Sequence, residues 1–160
     1  MAEKEAEAVL TDEQLKQLVA EADTGGRKPT GMVAKLILFT ALAWSLFQLW
    51  IASPLPYSLG ILVLNDTESR SVHLAFAMFL AYLAYPAFKS SPRAYVPPLD
   101  WVLALAGVFC ASYLFVFYSE LSTRPGQPTT LDLVASVAGI VLLLEAARRA
   151  LGLPMVILAV

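Results

Sequence analysis

One cysteine and one histidine in 160 residues leave little chemistry to distribute. Cys110 alone gives neither a disulfide framework nor a thiolate metal set, and His73 has no second histidine to share a ligand or a proton with. No HExxH, GxSxG, phosphate-binding loop or paired-aspartate motif occurs, so an enzyme is not expected. No cofactor is expected in this chain, and nucleic acid is not expected as a partner. Charge is scarce as well, at 15% of residues against 58% hydrophobic. A basic leader is also missing: residues 1–23 hold seven acids and two bases, the opposite of a cleavable signal peptide.

What is present in quantity is apolar sequence. Mean hydropathy is +0.67, which places the chain among membrane proteins. Four stretches lack charge over most of their length: Leu36 to Ser53, Val72 to Phe88, Trp101 to Tyr118 and Leu131 to Ala147. At 1.5 Å per residue each runs ~25–27 Å, close to the hydrocarbon thickness of a bilayer. A soluble four-helix bundle would show a polar stripe at a period of 3.6 on each segment, and none does. The sequence therefore predicts an all-α integral membrane protein with four transmembrane helices. Residues 1–30 form a cytoplasmic extension with a short amphipathic helix, 31–150 the four-helix domain, and 151–160 the truncated start of a fifth hydrophobic segment.

Pro, Gly and Ser punctuate the joints at "SPLPYSLGILVLNDTESR", "KSSPRAYVPP" and "SELSTRPGQP". The first joint is long and partly apolar, and is expected to lie along the interface or dip back toward the helices. With a cytoplasmic N-terminus, Arg27, Lys28, Lys35, Lys89, Arg93, Arg148 and Arg149 lie inside, and only Arg70 and Arg124 outside; that bias fixes the expected orientation. Tyr85, Tyr95 and Trp101 near the inner surface, with Tyr57 and Tyr118 near the outer one, fit an aromatic belt. In the extension, Thr11 and Gln14 make a capping box, Leu15, Leu18, Val19 and Ala22 share a face, and Gly25-Gly26 ends the helix.

The polar residues at depth are few. His73 is placed at the outer start of the second helix, an interfacial residue in the first instance. Asp132 falls in the first turn of the fourth helix, where a carboxylate caps free N–H groups and meets the helix dipole. Glu145 lies just inside the inner boundary and can pair with Arg148 at i+3 or Arg149 at i+4; the three read as an interfacial ion pair or a lipid-headgroup anchor. Gln48, between Trp44 and Trp50, needs an interhelical polar contact. Ala77 with Ala81, Gly107 with Ala111, and Ala135 with Gly139 permit close helix contacts, either in a compact unit or against another membrane protein.

The runs "HLAFAMFLAYLAYPAF", "PPLDWVLALAGV", "LFVFYSEL" and "RPGQPTTLDLVASVAGIVLLLEAARRALGLPMVILAV", in that order, resemble the N-terminal part of the fused permeases of TRAP transporters, the tripartite ATP-independent periplasmic family, and within it the TAXI-type subgroup. The similarity spans about residues 70–160, and its most specific pieces are "PTTLDL" and "LEAARRALG".

The resemblance implies sodium-coupled import of organic anions, often carboxylates, delivered by a periplasmic binding protein across a bacterial or archaeal inner membrane. A large segment would carry the substrate and sodium sites, and a small segment, which this chain resembles, would be its scaffold. The expected partners are that large segment, the periplasmic binding protein and phospholipids. On this reading Leu151 to Val160 begins the next membrane helix, the chain is a fragment, and the small-residue faces pack against the large segment. The alternatives are a stand-alone four-helix exporter working as a dimer, which would need a carboxylate well inside a helix, and a membrane assembly or interaction protein.

Overall fold

The computed structural model describes residues 26–88, 91–152 and 156–157. The expected amphipathic helix of the N-terminal extension lies outside the described residues, as does most of the expected fifth segment. The described chain is helical, without strands: α1 (Met32–Ala52), α2 (Leu55–Leu59), α3 (Asp66–Ala84), α4 (Pro98–Val116), α5 (Tyr118–Thr123) and α6 (Thr130–Leu151). Three of these, α1, α4 and α6, are long and apolar enough to cross a membrane. The second expected segment gives α3, which is 19 residues long but carries Asp66, Glu68 and Arg70 in its first two turns, diluting its apolar character.

The helix ends follow from local chemistry. In α1 the hydroxyls of Thr40 and Ser45 donate to the carbonyls of Leu36 and Ala41, so their polarity is spent within the helix. It stops at Ser53, ahead of Pro54, which cannot continue the ladder. The first joint contains the short helix α2, ended by Gly60 in the left-handed conformation at φ 66°. The second helix begins at Asp66 and not near Val72, because Asn65 and Glu68 form a reciprocal capping box at 2.9 and 3.0 Å. His73 thus lies in the third turn of α3 and not at its start. The same helix ends at Ala84 and not Phe88, with Pro86 two residues on. Pro98 occupies the first turn of α4, and Thr129 with Asp132 caps α6 by a second reciprocal box.

Cross-helix contacts give an up-down-up-down order. Phe47 meets Phe76 and Phe79 meets Trp101, while Asp100 and Tyr113 on α4 reach Arg149 and Asp132 on α6. Helix α3 is central, packed against α1, α4 and α6, and it supplies the three fully buried large side chains, Met78, Tyr82 and Leu83. Gly107 lets α4 approach: a Cβ there would meet the Met78 Cε at 2.9 Å. Gly139 on α6 likewise faces the Cβ of Cys110, at 3.3 Å from where its own Cβ would be, and Ala111 and Ala135 are buried. Of the two uses the sequence allowed for small residues, a compact unit or a contact with another membrane protein, Gly107, Ala111, Ala135 and Gly139 serve the first. At these four positions small size lets the unit's own helices close.

The outside is apolar. Helix α1 buries no residue and exposes Leu38, Phe39, Leu42, Leu46 and Leu49; α4 exposes Val102, Leu105 and Phe109, and α6 exposes Val134, Val137 and Val141. That is the inverse of a helical bundle in water, which turns its apolar stripe inward.

Candidate functional site: a buried ion network at one end of the bundle

Five charged side chains meet where the ends of α3 and α6 and the start of α4 come together. Pro97 and Pro98 start α4, which sets Asp100 in its first turn, buried. One Asp100 oxygen accepts from Arg149 Nη1 at 2.8 Å and the other from Arg27 Nη2. Arg149 also donates through Nε to Glu145 Oε1 at 2.8 Å. Glu145 is held bidentately by Arg148, Nε to Oε2 at 2.7 Å and Nη2 to Oε1 at 2.8 Å. The order of charge is Arg27, Asp100, Arg149, Glu145, Arg148, so positive and negative alternate with a cation at each end.

Burial makes this arrangement depend on full pairing. The side chains of Arg27, Asp100 and Arg149 are 0%, 5% and 3% exposed, and a charge so placed is tolerated only when paired and hydrogen-bonded. Arg27 meets the requirement with backbone as well: its Nη1 donates to the carbonyls of Tyr82 and Leu83 at 3.0 and 3.4 Å, and its Nε to that of Pro92 at 3.3 Å. These are carbonyls at and beyond the end of α3, where the helix leaves acceptors unpaired. The Arg27 and Lys28 amides add bonds to Ala84 and Arg93 carbonyls at 2.7 and 3.1 Å. Arg149 stacks over the Tyr82 ring at 4.8 Å, and Arg148 over Phe88 at 5.4 Å. Arg148 Nη2 also donates to Ala87 O at 2.9 Å. One network therefore fastens the segment before α1, the α3–α4 loop, and the ends of α3, α4 and α6.

The opposite end has a smaller clamp. Asp132 accepts from the Tyr113 hydroxyl, from Arg124 Nη1 at 2.7 Å and Nη2 at 3.3 Å, and from the Thr129 amide at 2.7 Å. The hydrogen bond to this carboxylate holds the Arg124 guanidinium above its ordinary pKa. The clamp ties the α5–α6 loop to α4 and closes one end of an apolar cleft of about 320 Å³ between α4 and α6, lined by Cys110, Ser136 and Gly139 among others.

Between the two ends lies the polar contact of Gln48. Its amide and the Trp44 indole both reach Nδ1 of His73, the indole at 3.3 Å, with the Trp44 and His73 rings edge to face at 5.0 Å. The indole N–H only donates, so Nδ1 accepts and the ring proton sits on Nε2.

Of the residues singled out from sequence, Glu145, Arg148 and Arg149 come together, and Gln48 meets His73 on the neighbouring helix. The sequence reading missed Asp100 and the role of Arg27. The signal for Asp100 was an acid just inside a Pro-Pro helix start, in "PPLDW", ahead of an apolar run. Arg27 was counted only as a topology charge, and nothing local distinguishes it from Lys28. Among the described residues no group of three or more His, Cys, Asp and Glu could hold a metal ion. Compared with family models, with curated proteins and with solved structures, the chain matches none of them.

Proposed function

We propose that the chain is the scaffold-like small membrane segment of a TRAP-type permease, supporting sodium-coupled import of organic anions by a larger mobile segment. In this reading α3 is a fourth transmembrane helix and the network end faces the cytoplasm. The single observation that carries the proposal is the locking of charge at both ends of the bundle. Asp100 and Glu145 at one end and Asp132 at the other are each held by arginine, which suits a frame that keeps its shape while a neighbour moves against it.

The resemblance of "PTTLDL" and "LEAARRALG" to the family adds the substrate class and the coupling ion. Those same two stretches contribute Asp132 to the clamp at one end and the Glu145, Arg148, Arg149 group to the network at the other. A stand-alone dimeric exporter is the weaker reading, since Glu145 is committed to two arginines near a helix end and is badly placed to carry a proton through the centre of a dimer.

The test is the coding sequence downstream of the Val160 codon, followed by co-expression. A frame continuing into a large hydrophobic segment is expected, with transport lost when residues 1–150 are deleted. A stop codon with no large permease gene adjacent would overturn the reading.

A further inference from the structure

The network end carries more positive charge than it uses. Among the described residues its only acids are Asp100 and Glu145, and both have each oxygen occupied by arginine. The five-membered network is left with one formal positive charge. Its inner members are closed off, whereas the Arg148 side chain is 27% exposed and no hydrogen bond among the described residues uses its Nη1. The α3–α4 loop is stitched to the same network at Ala87, by Arg148, and at Pro92, by Arg27. Next to Pro92, Arg93 is exposed. The same end of the bundle exposes apolar and aromatic side chains: Phe88 under the Arg148 guanidinium, Tyr95, Leu99 and Val102 on the loop and first turns of α4, and Leu151 at the end of α6.

Two solvent-reachable cations at an end that also exposes apolar side chains match an amphiphile with an anionic head. We propose that this end binds the phosphate headgroup of an anionic phospholipid, with Arg148 and Arg93 as the head-binding residues and the adjoining faces of α4 and α6 taking the acyl chains. Arg149 has no part in it: its guanidinium is enclosed, and its two acceptors are Asp100 and Glu145. The sequence alone grouped Glu145, Arg148 and Arg149 as one pair or anchor. The geometry divides them into an inner lock and an outer contact. A free phosphate would meet the same cations without the apolar side chains, and the acidic residues 1–23 would meet them from the chain itself.

The inference rests on the membrane placement in the proposed function, but not on the identity of the larger partner. The test uses the full chain reconstituted in nanodiscs of phosphatidylcholine with a minor share of phosphatidylglycerol, followed by mass spectrometry of the lipid retained on extraction. Phosphatidylglycerol is expected to be enriched, and Arg93→Gln, which leaves the network untouched, to lower that enrichment about fivefold. Arg148→Lys, which keeps the charge, is expected to retain most of it.

Equal retention of the two lipids, or enrichment unchanged in Arg93→Gln, overturns the proposal. Displacement by millimolar inorganic phosphate alone overturns it in favour of a free-anion site. Enrichment that emerges only after deletion of residues 1–23 overturns it in favour of that acidic segment. A chain that enters the nanodisc without lipid preference loses only this inference, whereas one that fails to enter a bilayer loses the membrane reading too.

Discussion

Arg27 and Arg149 bind the same carboxylate, that of Asp100, one on each oxygen. Neither arginine has a free choice of partner in so enclosed a place, and the acid carries both. Asp100→Asn is expected to destabilise the bundle by about 3–5 kcal/mol, the usual cost of leaving buried charge uncompensated. Replacing Arg27 and Asp100 together by leucine is expected to recover only part of that loss, because Arg149 keeps Glu145 but the Tyr82, Leu83 and Pro92 carbonyls lose their donor. Equilibrium unfolding in mixed micelles measures both. A loss below about 1 kcal/mol for Asp100→Asn would show that the shared carboxylate is not holding the end together.

The Trp44 indole sets the proton position on His73. Nitrogen NMR of the histidine-labelled chain, taken where the ring is neutral, is expected to find the proton on Nε2; a proton on Nδ1 would contradict the contact. His73→Phe leaves the Gln48 and Trp44 donors without their acceptor, at a cost of about 1 kcal/mol, and Gln48→Leu added to it should return part of the loss.

At Gly107 α4 lies close against Met78 and Tyr82 of α3. Gly107→Ala is expected to be mild, since the atom in its way is the terminal methyl of a flexible Met78. Gly107→Leu has no such escape among Met78 and Tyr82, and is expected to cost at least the ~1–3 kcal/mol of an overpacked core. Disulfide trapping between α3 and α4 would report the separation directly. Equal stability of the two variants would mean that the helices do not close at this position.

The Asp132 clamp is a local device, and its loss should be felt locally. Asp132→Ala is expected to speed amide exchange over the first turn of α6 and the loop holding Arg124, while amides near Asp100 keep their protection. Uniformly faster exchange along the chain would mean that the two ends of the bundle are not independent.

Much of the helical layout was legible because it depends on nearby residues. Charge-free runs, Pro and Gly at the joints and the Asp132 carboxylate in the first turn of α6 all act within a few positions, and i+3 and i+4 spacing was enough to join Glu145 to Arg148 and Arg149. The start of α3 was misread because the Asn65–Glu68 cap, also local, was overlooked beneath the charge that follows it.

Asp100 and Arg27 belong to a different category. Their bond spans 73 residues, and no periodicity connects an arginine before the first helix to an acid at the start of α4. The use of Gly107, Ala111, Ala135 and Gly139 inside the unit was equally hidden: a small residue signals a close neighbour, not which neighbour.

The distance along the chain between the members of the network has a consequence for how the protein is made. Arg27 leaves the ribosome early, yet its partner Asp100 is synthesised 73 residues later, and Arg149, which shares that acid, a further 49 residues on. Until the start of α4 is made the first arginine has no acid to bind, and the segment ahead of α1 waits while α1, α2 and α3 are synthesised. Only when α6 arrives are all five members of the network present, so its closing marks the moment at which the two ends of the chain's described helices are fastened together.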